Sequence, residues 1–223
     1  MSHELPPRGV VLEGDSTGGS TPRSRNGWPA ITGLLLLSAL PIIGGALRLE
    51  ELSTDTATAP PPSLSVAIVT HIVAMSVYCV LGAFQFSPAL RGRRVWHRRV
   101  GRALIPAGIM AALASIWLAL FFDGPDEEFG LAIVRLVFAV PMTLYLALAT
   151  IAIARRRFTA HGAWMTRAYA IAVTGGTQAL VLIVWSILGG ESTIVAETWL
   201  VGAGFLINSL VAEVIIRRRL RRG

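Results

Sequence analysis

Two sets of residues in this chain have types and spacings that can do chemistry. The first is His97, His161 and Glu213. Two imidazoles and a carboxylate make a donor set for a first-row metal ion, and two imidazoles alone can ligate a haem b iron from both sides. His97 lies in RRVWHRRVGR, positions 93–102, and His161 in RRRFTAHGAWMTR, positions 155–167. The two segments loosely resemble one another, each placing a histidine shortly before an apolar run, so the pair is expected at one depth. Glu213 stands about one helical turn before the terminal arginines, near the same end. The plainer alternative is structural: histidines among arginines contact phosphates or loop carbonyls, and Glu213 pairs with Arg217 four residues on.

The second set is His71 and Arg135. Both fall inside long apolar runs, about six or seven residues from the end, or roughly 10 Å below one surface at ~1.5 Å per residue. Ionisable groups inside a bilayer cost roughly 2.5–3.5 kcal/mol on insertion scales, so these two need a partner, a cavity or a function. His71, Met75, Tyr78, Gly82 and Gln85 recur in steps of four and three and share one helical stripe. Arg135, Phe138, Met142 and Tyr145 form another. Such stripes either are the bundle-facing sides of helices or line a lipophilic pocket, for a quinone or a haem edge, with His71 and Arg135 as its polar end. About fourteen residues of helix, or ~21 Å, separate His71 from the other two histidines, so at most one bis-histidine centre fits.

The elements that must position these residues are six apolar runs: Trp28 to Leu49, Leu64 to Phe86, Val100 to Phe122, Phe129 to Ala154, Trp164 to Leu188 and Thr198 to Ile216. Each is near or above the ~20 residues that an α-helix needs to cross the hydrocarbon. With 53% hydrophobic residues over 223 positions, the composition predicts one all-α, six-helix membrane bundle. Pro41, Pro106 and Pro141 fall within the runs, and Pro141 is the expected kink. Small residues at four-residue spacing, Gly108 and Ala112 or Ala107, Ala111 and Ser115, predict close packing of the third helix.

The connections alternate in charge. Arg91, Arg93, Arg94, Arg98, Arg99 and Arg102, then Arg155, Arg156, Arg157 and Arg167, then Arg217, Arg218, Arg219, Arg221 and Arg222 mark one side. Glu50, Glu51 and Asp55, then Asp123, Asp126, Glu127 and Glu128, then Glu191 and Glu197 mark the other. By the positive-inside rule both termini are cytoplasmic. Residues 1–27 read as a disordered cytoplasmic tail, 28–216 as the transmembrane domain and 217–223 as a basic cytoplasmic tail. The first run is too long for a signal-peptide core and reads as a retained span.

The pI of 11.1 is explained by topology and by attraction of these arginines to anionic headgroups at the cytoplasmic face, so no nucleic-acid partner is expected. Cys79 is the only cysteine, which excludes an intramolecular disulfide and a thiolate metal cage. No Ser/His/acid, Gly-rich phosphate or zinc-protease motif is present, and no reaction class is assigned.

From about His71 to Arg217 the chain resembles the bacterial family of predicted membrane proteins called domain of unknown function 2306. The matching pieces are His71 followed by LGAFQF, with Gly82 and Gln85, then LRGRRVWHRRVGR, HGAWMTR with Trp164, Met165 and Arg167, and NSLVAE with Asn208 and Glu213. The chain departs from the family at Gly162 and Gln178, where arginines are common, so an anion held by those arginines would bind differently here. The resemblance implies a multi-pass protein of the bacterial inner membrane and carries no activity with it.

The candidate cofactor-binding residues are thus His97, His161, His71 and Arg135, and the candidate metal ligands His97, His161 and Glu213. The leading functional expectation is a redox-associated membrane protein that binds haem, quinone or a metal, or assists assembly of a respiratory complex. The alternatives are a small permease or lipid-associated transporter, motivated by Arg135, Gln178, Asn208 and the prolines, and a ligand-free structural or sensory subunit.

Overall fold

The computed structural model describes residues 27–54, 60–86, 94–121 and 129–221. The tail expected over 1–27, apart from Gly27, lies outside them, as do Asp55, Arg91, Arg93, Asp123, Asp126, Glu127, Glu128 and Arg222. The described residues form α1 (Trp28–Thr54), α2 (Pro62–Gln85), α3 (Arg94–Phe121), α4 (Phe129–Ala154), α5 (Phe158–Ala172), α6 (Thr174–Ile187) and α7 (Ile194–Leu220). Six spans are long and apolar enough to cross a membrane, the fifth being α5 and α6 together, Phe158–Ile187. The chain is an all-α, six-span membrane bundle. Large apolar side chains such as Leu36, Val73, Trp117, Val140 and Leu210 point outward, where lipid takes the place of water.

Local chemistry sets the helix ends. Pro62 opens α2, where a missing N–H costs nothing, and the Thr193 side chain caps α7 by accepting from Ala196 N at 3.1 Å. Two helices end in the same way: at α6, Gly190 N bonds Trp185 O and Gly189 N bonds Ser186 O, with Gly189 at φ 79°. At α4, Arg157 N bonds Ala152 O and Arg156 N bonds Ile153 O, with Arg156 at φ 57°, where glycine is the usual occupant. The helices α3 and α5 begin earlier than their apolar runs, so His97 and His161 lie in first helical turns rather than in loops.

Helix runs unbroken through Pro41, Pro106 and Pro141, and the discontinuity falls instead at Val173. Its cause is the Thr174-Gly175-Gly176 sequence together with close packing. A Cβ at Gly176 would overlap the Leu37 carbonyl of α1, so this half of the span can lie against the α1 backbone only as glycine. The carbonyls around the break are satisfied from the side: Ala170 O accepts from Thr174 Oγ1 at 2.9 Å and Asn208 Nδ2 at 3.2 Å, and Ala172 O from Cys79 Sγ at 3.5 Å. Asn208 also accepts from Thr177 Oγ1 at 3.0 Å, which ties α7 across the break.

The break redirects the span. The α5 half packs on α4, α7 and α2, whereas the α6 half packs on α7 and α1. Below the break the core is dense: Tyr78, Leu104, Ala112, Met142, Leu146, Ala168 and Tyr169 are buried. Gly108 receives the Tyr78 ring and Leu146, a close-approach site on α3 as expected, and Gly82 of α2 receives the Tyr169 ring in the same way.

Candidate functional site

A cavity of about 230 Å³ lies beside the break between α5 and α6. Its walls come from α1 to α4, the α5–α6 break and α7. Met75, Ala139, Met142 and Phe205 make it largely apolar, and Ser38, His71, Cys79, Arg135 and Gln178 supply polar atoms. It lies toward the end of the bundle that carries Glu50, Glu51, Glu191 and Glu197, here termed the acidic end.

His71 and Arg135, paired in the sequence by depth alone, line this one cavity from α2 and α4. His71 is partly buried, and its Nδ1 lies 2.9 Å from Ala111 O of α3. A carbonyl only accepts, so Nδ1 carries the hydrogen and Nε2 is the ring atom left for another contact. Arg135 lines the cavity and remains exposed, which places it at the mouth. Gln178 joins them across the break, with Nε2 donating to Val201 O at 3.4 Å.

The opposite, arginine-rich end is built differently. Arg167 of α5 grips Glu213 of α7 with two bonds, Nε to Oε1 at 2.5 Å and Nη2 to Oε2 at 3.2 Å. The same guanidinium lies 4.6 Å from the centre of the Trp164 ring, and Trp164 stacks on Tyr145 of α4 at 5.5 Å. Cation, aromatic and carboxylate thus join α4, α5 and α7 in one stack. The partner of Glu213 is an arginine on another helix rather than Arg217 four residues on.

His161 Nδ1 donates to Ala149 O at 2.9 Å, binding the start of α5 to α4, and the main-chain oxygen of His97 accepts from Gln85 Nε2 at 3.5 Å. Among the described residues no three histidine, cysteine, aspartate or glutamate side chains gather closely enough to hold a metal ion. His97, His161 and Glu213 therefore do not form a three-ligand cluster here, because the Glu213 carboxylate faces Arg167.

The two sequence stripes become the bundle-facing sides of α2 and α4, and each runs through the cavity. His71 and Met75 line it, Tyr78 and Gly82 are buried below it, and Gln85 reaches the start of α3. On α4, Arg135 and Met142 line the cavity, Phe138 stacks on Phe205 at 4.1 Å, and Tyr145 belongs to the arginine-end stack. Sequence reasoning missed the broken span and the roles of Ser38 and Cys79. The available signal for the break was Gly175-Gly176 in mid-span, a pair that commonly marks a helix kink.

The family model described as "Predicted membrane protein (DUF2306)" matches residues 68–216, and this chain belongs to that family. No curated protein and no solved structure matches the chain. The matched stretch covers His71 and most of the cavity as well as the Arg167–Glu213 pair, and it starts after α1, which contributes Ser38 and Pro41 to the cavity wall.

Proposed function

We propose that this family member is a redox-associated protein of the bacterial inner membrane whose cavity binds an isoprenoid quinone. The observation that carries the reading is the meeting of His71, Arg135 and Gln178, from separate spans, in one apolar-walled cavity inside the bundle. Such a pocket fits a flat lipophilic head bearing oxygens at its edge: the ring lies among Met75, Met142 and Phe205, and a ring oxygen accepts from Arg135. The tail leaves through the open side into lipid. In this reading both termini are cytoplasmic, the arginine end faces anionic headgroups, and the cavity opens in the outer half of the membrane.

Titration of the purified full chain with a short-chain benzoquinone tests this. Saturable binding weakened by Arg135→Gln, with the protein still folded, is the expected result. Binding unchanged by that substitution removes the cavity as the site.

The permease reading has one observation in its favour: the span that breaks at Val173 lines the cavity through Ile171, Ala172 and Gly175. Discontinuous helices at a midplane site are a recurrent feature of transporters. Net flux of a labelled amphiphile across proteoliposomes, set against equilibrium binding alone, separates the two.

A further inference from the structure

Four cavity-lining side chains share a habit that limits what the ligand can be. Ser38 Oγ donates to Leu34 O at 2.8 Å, His71 Nδ1 to Ala111 O at 2.9 Å, Cys79 Sγ to Ala172 O at 3.5 Å and Gln178 Nε2 to Val201 O at 3.4 Å. In each case the partner is a backbone carbonyl, which can only accept, so the direction of every bond is fixed. The Gln178 amide is oriented by the same logic, because the flipped amide would set oxygen against oxygen.

With these hydrogens directed into the helices, acceptor atoms remain beside the cavity. Set in an apolar wall beside the Arg135 guanidinium, the His71 ring is uncharged and retains the Nε2 lone pair, and Gln178 retains Oε1 together with its second Nε2 hydrogen. Arg135 supplies the opposite character, since a guanidinium donates and never accepts. The polar lining thus combines a strong donor at the mouth with the His71 acceptor and an amide that offers both characters.

From this pattern we infer that the cavity selects the reduced, hydroxyl-bearing form of its ligand, a quinol over the corresponding quinone, with His71 Nε2 accepting from the ring hydroxyl. The inference rests on the quinone reading of the cavity. A quinone has only carbonyl oxygens at its ring edge. It can accept from Arg135, yet it sets a lone pair against His71 Nε2 and leaves that atom unsatisfied in an apolar site. A quinol hydroxyl can accept from Arg135 and donate to His71. The preference concerns binding alone and requires no electron acceptor.

The test compares three probes under anaerobic conditions on the native full chain in nanodiscs: a short-chain benzoquinol, its quinone and its O-methylated quinol. We expect the quinol to bind about tenfold more tightly than the quinone, the effect of one added hydrogen bond, and the O-methylated form to lose that advantage. In His71→Phe the quinol preference shrinks while quinone affinity is retained. Equal affinity for quinol and O-methylated quinol, or tighter binding of the quinone, overturns the inference and leaves the cavity reading standing. Absence of binding by all three probes overturns both. The native-protein comparison keeps the test decisive even where His71→Phe fails to fold.

Discussion

The two ends of the bundle treat polar side chains in opposite ways. At the arginine end, charge and aromatic surface are matched within the protein: Arg167 meets Glu213 and Trp164, and Trp164 meets Tyr145. At the acidic end, His71, Arg135 and Gln178 converge on open space. Residues that satisfy one another hold helices together, whereas His71 and Gln178 keep acceptor atoms beside a cavity with room for a ligand. The arginine end, with two histidines, a carboxylate and most of the family-like motifs, is the more suggestive in sequence. Its motif residues Trp164, Arg167 and Glu213 have a sufficient account in packing.

Substitutions should divide along the same line. The largest effect is expected at the break between the two regions: Gly176→Ala drives a methyl into the Leu37 carbonyl and should destabilise the fold by about 3 kcal/mol or more, read by thermal unfolding in detergent. A wild-type melting point for this variant would mean that α1 and α6 are not in backbone contact.

Glu213→Ala leaves a half-buried guanidinium without its bidentate partner and should cost about 1.5–3 kcal/mol, with ligand affinity at the cavity unchanged. Lost binding at full stability would reverse the roles assigned to the two ends.

The two core tyrosines give a sharper contrast. Tyr169 Oη donates to Cys79 O at 2.7 Å, a second bond beside that carbonyl's helical one, so Tyr169→Phe removes a buried hydrogen bond and should cost about 0.5–1.5 kcal/mol. Tyr78 is 0% exposed and its hydroxyl has no hydrogen-bond partner among the described residues, so Tyr78→Phe should leave the melting point unchanged or raised. A fall for Tyr78→Phe equal to that for Tyr169→Phe would contradict this assignment. The smallest effect is expected at Arg156, where replacing a left-handed arginine with glycine should stabilise by about 0.5–1 kcal/mol, measured in neutral lipid.

The spans were legible because the bilayer demands apolar length, and a composition signal over twenty residues is hard to mistake. The equal depth of His71 and Arg135 was legible for a similar reason: rise per residue converts position into depth, and both residues do line one cavity. Which helices touch was not legible. Glu213 had an arginine four residues away in sequence, and only the packing of α5 against α7 shows that Arg167 is its partner. The prolines misled about the break because a helix can continue past a missing N–H when its neighbours allow it. Gly175-Gly176 was the local signal for the break, whereas the close contact of Gly176 with α1 is one that no local pattern encodes.

The most direct test of the cavity as the functional site is cross-linking with a photoreactive short-chain quinone analogue, mapped by mass spectrometry on the full chain in nanodiscs. The account predicts labelling of Met75, Cys79, Met142 or Phe205, suppressed by excess unlabelled quinol. Competable labelling at His97, His161 or Trp164 would contradict it and move the function to the arginine end.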